Sequence, residues 1–563
     1  MGEVDDSHRA AARAWLAQDP DPVTREELAA LLEAGDEDGL AERFGARLEF
    51  GTAGLRGRLG AGPNRMNRVT VMRAAAGVAQ WAGPGATVVI GYDARHRSAD
   101  FAHDSAAVLA GAGCTVLLLP RPLPTPVLAF TVRDLGADAG IMVTASHNPP
   151  EDNGYKVYVG GTGEHAGSQI IPPADTEISA AIEAAGPVDT LRLSRDRRLL
   201  GEEAVERYLS AVCALPLGRD RDVTTTYTPL HGVGAQTLLT AFDWEGFPPP
   251  RVVGEQRRPD PDFPTVRFPN PEEPGAMDLA LAAARDEGTD VVLANDPDAD
   301  RLAVAVPGYG LLTGDQVGGL LAEYVLGRTS GDDRTVATTI VSAGLLPKIA
   351  AAHGVRCTET LTGFKWLARA AGPGERCVFA YEEALGYCLA GDGGRPVADK
   401  DGIGAALAVA ALAAEAKRGG RTLLDLLDDQ ARRYGLHATR QVSVRVGEVA
   451  LLTDTMHRLR VRAPDALGAL AVEAVEDFST GLGGLPATDA LRYRLGGPVQ
   501  GRLTLRPSGT EPKLKAYLEV VLPVDPDAAD VADVRADAEA RLDALDRAVR
   551  ALFPEEPERT EAG

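Results

Sequence analysis

One pattern occurs three times along this chain and confines it to a layered α/β architecture: a short apolar strand, a helix, and another strand that ends in a polar loop. Thr87-Val88-Val89-Ile90-Gly91 reads as a strand, Ala99 to Gly111 as a helix, and Ile141-Met142-Val143 as a strand running into Thr144-Ala145-Ser146-His147-Asn148-Pro149. Thr224 to Tyr227, Gly234 to Ala241 and Val291 to Ala294 repeat the order and end at Asp296-Pro297-Asp298-Ala299-Asp300-Arg301. Ala337 to Val341, Leu345 to His353 and Cys377-Val378-Phe379 repeat it again and end at Tyr381-Glu382-Glu383-Ala384-Leu385-Gly386. Units of this grammar build doubly wound domains, whose ligands gather beyond the carboxyl ends of strands.

With 563 residues the chain is too long for one core. Polar, Ala-rich helices up to Arg47 form an N-terminal extension. Near the other end, Leu503-Thr504-Leu505 and Ala516 to Val521 read as strands flanking Arg506-Pro507-Ser508-Gly509-Thr510-Glu511-Pro512, and Ala528 to Leu552 as a long amphipathic helix. The expected fold class is therefore α/β: three tandem doubly wound domains followed by a smaller α+β domain. The expected boundaries are 1–47 for the extension, 48–212, 213–326 and 327–440 for the α/β domains, and 441–563 for the last. The charged tail Pro554 to Gly563 is expected to be disordered.

The loops carry the chemistry. Asp296, Asp298 and Asp300 stand at alternate positions beyond a buried strand, followed by Arg301. Oxygen-only ligands suit a hard divalent cation and the guanidinium suits an anion, so this loop reads as a site for metal-assisted phosphate chemistry. An EF-hand would need glycine at the sixth position and glutamate at the twelfth, where this chain has Arg301 and Pro307. Ser146 lies outside any G-x-S-x-G elbow, so an acyl-enzyme is not expected. A loop serine is ordinarily a helix cap, but a nearby cation can make it a phosphoryl carrier. Arg506, Ser508, Gly509 and Thr510 offer a guanidinium, two hydroxyls and backbone amides, a cradle for a phosphate that is bound but not transferred. Glu382 and Glu383 can accept from sugar hydroxyls; the plain reading is carboxylates at a helix start.

Composition removes other classes. A net charge of -23 argues against a nucleic-acid or anionic-membrane surface, so an anionic ligand needs a locally basic cleft. Only seven of the 58 basic residues are lysine, and five of these, Lys156, Lys365, Lys400, Lys513 and Lys515, fall in or beside Gly- or Pro-punctuated segments that read as loops at strand ends. An ammonium is a compact, titratable charge that a guanidinium cannot replace. No apolar run reaches membrane-spanning length, and Met1 to Asp6 carries acid where a signal peptide carries base, so a cytoplasmic protein is expected. Five scattered cysteines without a C-x-x-C pair agree with reduced thiols.

Taken in this order and spacing, the four loops Thr144 to Pro149, Asp296 to Arg301, Glu382-Glu383-Ala384-Leu385-Gly386 and Arg506 to Pro512 resemble the α-D-phosphohexomutase superfamily. Phe50-Gly51-Thr52-Ala53-Gly54-Leu55-Arg56-Gly57 and Asp152-Asn153-Gly154-Tyr155-Lys156-Val157-Tyr158 are similar to the branch that holds phosphoglucomutase and phosphopentomutase-type enzymes. The resemblance covers nearly the whole chain. It implies four domains around a central cleft and reversible transfer of phosphate between O1 and the terminal hydroxyl of an aldose. Ser146 would be the phosphoserine, and Asp296, Asp298 and Asp300 would hold Mg²⁺ with a phosphoserine oxygen of Ser146. Arg301 would sit by the transferring phosphoryl group, and Arg56, His147 and Lys156 are general acid/base candidates. Thr362-Gly363-Phe364-Lys365 and Lys400 match substrate-contacting loops, and Arg506, Ser508 and Thr510 match the distal phosphate clamp. Glucose 1,6-bisphosphate is the implied activator and intermediate, and it must turn over between two half-reactions.

One position departs from the pattern. Many hexose mutases have serine where this chain has Ala384, and the lost hydroxyl removes a sugar hydrogen bond of about 0.5–1.5 kcal/mol. Glucose phosphates are the expected substrates, with pentose and mannose phosphates as alternatives. A metal-dependent sugar-phosphate phosphatase using Ser146 is the alternative of another class, though it has no need of a second phosphate clamp. A pure sugar-phosphate binding protein would have no need of Ser146 together with three aspartates. The expected partners are small sugar phosphates, and the expected assembly is a monomer or small homo-oligomer.

Overall fold

The computed structural model describes residues 2–51, 54–445, 449–507 and 513–553. The chain forms two compact units, Met1–Leu312 with Leu385–Arg418, and Thr313–Ala384 with Gly419–Gly563.

In the first unit the extension is three helices, Gly2–Gln18, Pro22–Ala34 and Glu37–Phe44. Asp21 starts the second by accepting from the Val23 amide ahead of Pro22, and Gly35, at φ 64°, ends it. Trp15, Leu28 and Leu40 bury the shared face against Val69 and Met72.

The first sheet has six strands, in the order Leu55–Arg58, Asp152–Val159, Ala139–Val143, Thr87–Tyr92, Thr115–Leu118, Arg198–Leu199. The last four run parallel, as the strand–helix–strand grammar requires. The first two are antiparallel additions, with Met142 opposite Lys156 and Gly154 opposite Arg56. Ser146, Lys156 and Arg56 therefore come from three neighbouring strands or from the loop just beyond one. Lys156 was expected in or beside a loop at a strand end; it lies within the strand Asp152–Val159, as Lys513 and Lys515 lie within the strand Lys513–Leu522. The Asp-Asn-Gly start reads locally as a turn, yet the strand is buried along most of its length and pairs over its whole reach.

The second sheet has the order Gly310–Leu311, Ala303–Val306, Val291–Ala294, Thr225–Thr228, Arg251–Val252. Val291–Ala294 is wholly buried, parallel to Thr225–Thr228 and antiparallel to Ala303–Val306. The Ala-rich helix Gly402–Arg418 completes this unit, with nearly every side chain up to Ala416 buried.

In the second unit Arg334–Thr339 is flanked in parallel by Arg356–Thr360 and Arg376–Glu382. The helix Gly314–Leu326 begins at a reciprocal capping box between Thr313 and Gln316. The C-terminal part is an antiparallel sheet of six strands, Leu436–Arg445, Lys513–Leu522, Gln500–Pro507, Leu491–Gly496, Leu470–Asp477 and Ala466–Leu467 in spatial order. Leu452 and Met456 of the helix Val449–Val461, and Leu542 and Leu545 of Ala532–Arg550, fill its core. The tail from Pro554 lies outside the described residues. Among the described residues no helix is long and apolar enough to cross a membrane. All five cysteines are free thiols.

Candidate active site

The buried strand Ala139–Val143 delivers a turn in which Ser146 stands at φ 53°. Such a left-handed backbone is costly for a residue with a Cβ and persists only where its surroundings fix it. Here the Ser146 amide donates to Thr144 Oγ1 (2.9 Å), and buried Arg95 donates to the carbonyls of Ser146 (2.6 Å), Asn148 (2.5 Å) and Pro149 (2.8 Å). Without that guanidinium, each carbonyl left buried and unpaired would cost about 1–3 kcal/mol. Ser146 caps no helix; its hydroxyl donates to Asp296 Oδ2 at 2.7 Å and lies 3.3 Å from His147 Nδ1.

The aspartate loop is held just as closely. Asn295 donates from Nδ2 to the Arg301 carbonyl (2.6 Å) and accepts from the Tyr227 hydroxyl (2.8 Å), tying the two ends of the turn. The Val233 amide donates to the Pro297 carbonyl at 2.9 Å. Only glycine fits beside it, since a Cβ on Gly232 would lie 2.3 Å from the Pro297 Cα. Asp296, Asp298 and Asp300 are buried, and one carboxylate oxygen of each lies within 4.8 Å of the others.

Three carboxylates cannot be buried together uncompensated. Lys156 Nζ donates to Asp298 Oδ2 (2.8 Å) and Asp300 Oδ2 (3.0 Å), Thr125 Oγ1 donates to Asp298 Oδ2 (2.7 Å), and Lys400 Nζ is 3.3 Å from Asp300 Oδ2. Arg301 gives its amide to Asp296 Oδ1 (3.1 Å) and brings its Nε to 3.9 Å from Asp300 Oδ1. Burial opposes the ammonium of Lys156, but Asp298 and Asp300 outweigh it and hold the pKa above the usual lysine value. Burial also opposes the Asp298 carboxylate, yet Lys156 and its hydrogen bond hold that group low. Asp296, buried beside two carboxylates, is pushed well up. Burial and the cations Arg301 and Arg56 hold His147 well below the usual imidazole value, so it is neutral.

The donor set fits a hard divalent cation. Oδ1 of Asp298 and Oδ1 of Asp300 are buried without a hydrogen-bond partner among the described residues, and every donor is oxygen. This buried triad could hold a metal ion.

Arg56 faces solvent and donates to Asn148 Oδ1 at 3.2 Å. Lys400 sits between two aspartates with separate tasks. Asp401 caps the helix Gly402–Arg418 through the Ile403 and Gly404 amides, whereas Asp399 accepts from Gln169 Nε2 (2.9 Å) and stands 3.7 Å from Lys400 Nζ. The first unit thus brings together Ser146, His147, Lys156, Arg56, Asp296, Asp298, Asp300, Arg301 and Lys400. Sequence reasoning missed Arg95, Thr125 and Asp399. Asp93 and Arg95, just past the strand Thr87–Tyr92, were a usable signal for the first; the others act only through tertiary contacts.

The second unit carries the remaining candidates. Glu382 ends the strand Arg376–Glu382 and no helix follows, which removes the helix-start reading; Ala384 is half-buried beside it. Glu383 accepts from Thr339 Oγ1 (3.2 Å) and Ser342 Oγ (3.3 Å). Lys365 lies in the short helix Phe364–Leu367, which follows Gly363 at φ 104°. Arg506 stands opposite Lys515 in the strand pair, and its guanidinium acts on the nearby Tyr517 hydroxyl. Ser508, Gly509 and Thr510 lie outside the described residues.

Burial, with Glu382 and Asp315 nearby, outweighs a backbone hydrogen bond and the charge of Lys515 and pushes Glu383 up to about 7. A carboxyl whose folded pKa exceeds its unfolded value contributes stability that is full below the unfolded value and lost as pH rises through the folded one. Melting temperature should therefore fall between about pH 4.5 and pH 7 through this group. Glu383→Gln should flatten that limb; an unchanged slope in a pH series of thermal melts would exclude Glu383 as its source.

Comparison with known proteins matches three successive segments of the chain. Residues 47–189 match the model of phosphoglucomutase/phosphomannomutase alpha/beta/alpha domain I, 206–310 that of domain II and 313–434 that of domain III. The chain is 42% identical over 464 residues to the "Probable phosphomannomutase" of Haemophilus influenzae, covering 81% of this chain and 93% of that protein. It is 34% identical to the phosphopentomutase of Mus musculus, covering 90% of this chain and 89% of the other. The crystal structure of parafusin (phosphoglucomutase) from Paramecium, in its open form, shares the fold at a TM-score of 0.64 with 16% identity, over 91% of this chain and 98% of that one.

Proposed function

Because this chain belongs to the phosphoglucomutase/phosphomannomutase family of isomerases, we propose that it is a magnesium-dependent mutase that interconverts a sugar 1-phosphate and its terminal phosphate isomer, with Ser146 as phosphoryl carrier. The observation that carries this reading is the 2.7 Å hydrogen bond from Ser146 Oγ to Asp296, within a buried triad that two lysines only partly neutralise.

A magnesium ion held by Asp296, Asp298, Asp300 and a phosphoryl oxygen on Ser146 would supply charge neutralisation of that phosphoryl group. The chain's own residues account for the rest. Arg301 lies along the same turn, where a guanidinium can pair with phosphoryl oxygens. Neutral His147, beside the Ser146 hydroxyl, is able to accept a proton; Lys156 and Arg56 are the other candidates for proton movement. Glu382 accepts from sugar hydroxyls, Lys365 and Lys400 bind substrate oxygens, and Arg506 with Ser508, Gly509 and Thr510 holds the distal phosphate. That clamp accepts either end of glucose 1,6-bisphosphate, the intermediate and activator, as it turns over. The working division of the chain is an extension (1–47), phosphoserine (48–212), metal (213–326) and sugar (327–440) domains, and a phosphate-binding domain (441–563), operating in the cytoplasm.

The test is a comparison of kcat/KM on glucose, mannose and ribose 1-phosphates, each with Mg²⁺ and a trace of its bisphosphate. The expected product is the 6-phosphate of a hexose or the 5-phosphate of ribose. Free phosphate in its place would make the protein a phosphatase, and no turnover of any of the three would sink the mutase reading. Ala384, which offers the sugar no hydroxyl, favours the pentose phosphate as a second substrate. One missing hydrogen bond of about 0.5–1.5 kcal/mol narrows the preference for hexose by about 2- to 10-fold.

A further inference from the structure

Left-handed backbone in a residue with a Cβ is uncommon and persists only where its surroundings fix it. Seven such residues occur among the described residues; one is Ser146, one is Ala299 of the aspartate loop, and three more are Leu230 (φ 46°), His231 (φ 58°) and Phe263 (φ 46°). What fixes these three begins at the strand Thr225–Thr228, the parallel neighbour of the strand that ends at the aspartates. Thr228 Oγ1 accepts from the Leu230 amide (3.0 Å) and donates to Gln256 Oε1 (2.6 Å), and Gln256 Nε2 donates to Thr265 Oγ1 (2.9 Å). The His231 carbonyl accepts from the Asp260 amide (3.0 Å), and the Phe263 amide donates to the Asp260 carbonyl (3.2 Å). The turn that carries Phe263 is therefore fastened to the same loop whose Val233 amide holds the Pro297 carbonyl of the aspartate loop.

That turn sets Phe263, only 2% exposed, over Arg95, with the guanidinium carbon 5.0 Å from the ring centroid. Arg95 already uses both Nη atoms on the phosphoserine loop and the strand after it, donating to the carbonyls of Ser146, Asn148, Pro149 and Asp152. A guanidinium donates in its own plane and stacks through its face, so the ring and the four carbonyls do not compete for it. A carboxylate in the same place would draw N–H groups away from the loop. A desolvated cation over an aromatic face is held by the ring's quadrupole, which restrains Arg95 in the direction that its hydrogen bonds leave free.

We infer that Phe263 is a positioning residue for phosphoryl transfer: its ring pins the Arg95 guanidinium and thereby fixes Ser146 Oγ against the aspartate loop. The inference rests on the reading of Ser146 as phosphoryl carrier. The contacts close a circuit, from the aspartate loop through Val233, His231 and Phe263 to Arg95 and the Ser146 turn, and back through the Ser146 hydroxyl to Asp296. Phe263 acts through Arg95 and not on the sugar, so its loss changes the rate of transfer and leaves the affinity for sugar phosphate as it is.

The test follows one half-reaction in the full-length protein. Dephosphorylated protein with Mg²⁺ is mixed with radiolabelled glucose 1,6-bisphosphate, or ribose 1,5-bisphosphate where the pentose is preferred, and the appearance of label on Ser146 is timed in a single turnover. Phe263→Leu keeps an apolar side chain and removes the aromatic face; it should slow transfer by about 10- to 100-fold, the scale on which small misplacements of reacting groups act, with calorimetric affinity for the bisphosphate within about twofold of wild type. Mono-, di- and trifluorophenylalanine installed in place of Phe263 nearly keep the ring's shape while draining its face of electron density. Across that series transfer should slow stepwise, by about threefold to tenfold at the trifluoro ring. Should Phe263→Leu fail to fold, the fluorinated series decides alone. A ring that merely fills space would lower the melting temperature of Phe263→Leu and leave transfer constant across the series. Constant transfer, or transfer that falls only as affinity falls, overturns the inference while a labelled wild type leaves the mutase reading standing. A wild type that takes no label on Ser146 overturns that reading and this inference with it.

Discussion

Ser146→Ala should abolish mutase turnover by about 10⁴-fold or more while leaving sugar-phosphate binding nearly intact, because a nucleophile that carries the transferred group has no substitute within its loop. The fold should tolerate the change. Alanine meets the same left-handed backbone that serine already occupies at φ 53°, and Arg95 grips the loop through carbonyl oxygens that the substitution does not touch. The main loss is the hydrogen bond to Asp296, about 1 kcal/mol. Coupled assays of isomer formation, calorimetric binding of the sugar 1-phosphate and transfer of labelled phosphate to protein separate the possibilities. Full turnover in the variant would remove Ser146 from the mechanism. Lost binding along with lost turnover would indicate a damaged cleft rather than a missing carrier.

The aspartate loop was legible because its pattern of strand and carboxylates is local, although the groups that hold and balance it are not. A fully buried four-residue strand, Val291–Ala294, points its end at three carboxylates, and those carboxylates have a chemical use that few other arrangements share. Lys156 was legible as a residue worth notice but not in its setting. Its segment opens with Asp-Asn-Gly, and only pairing with Ala139–Val143 on one side and Leu55–Arg58 on the other makes it a strand. Arg95, Thr125 and Asp399 belong to a class that local pattern does not reach, since each acts on a partner far along the chain. Arg95 meets carbonyls more than 50 residues away, and Thr125 meets Asp298 across 173 residues. The C-terminal sheet was only partly legible for a related reason. Leu491–Gly496 has arginine at alternate positions, which reads as exposed, yet Arg492 is buried by ion pairs with Glu359 (2.7 Å) and Glu476 (2.5 Å). Leu491, Tyr493 and Leu495 alternate on the buried face as a period of two requires, and charge pairing, invisible in periodicity, is what buries Arg492 between them.

Lys156→Met should produce the second large effect, and magnesium should move it. Without the ion, three buried carboxylates face two ammonium groups, and Lys156 is the one that bridges Asp298 and Asp300. Removing one partner of a buried ion pair typically costs about 3–5 kcal/mol, and protonation of a carboxylate sets the upper bound on the loss here. Methionine fills most of the same volume, so the melting temperature in EDTA should fall through lost charge rather than through a cavity. Saturating Mg²⁺ should then raise the variant's melting temperature more than the wild type's, because a divalent cation takes over the neutralisation. Equal Mg²⁺ shifts in both proteins would mean that the triad does not hold the ion. Turnover divides the roles further. If Lys156 only balances charge, kcat should recover once Mg²⁺ saturates the variant. If it also moves a proton to or from the sugar oxygen, kcat should stay lower by about 10²- to 10⁴-fold at any Mg²⁺ concentration. Lys156→Arg supplies the control: it keeps the positive charge but cannot give up a proton, so it should restore the melting temperature while leaving turnover low in the second case and normal in the first.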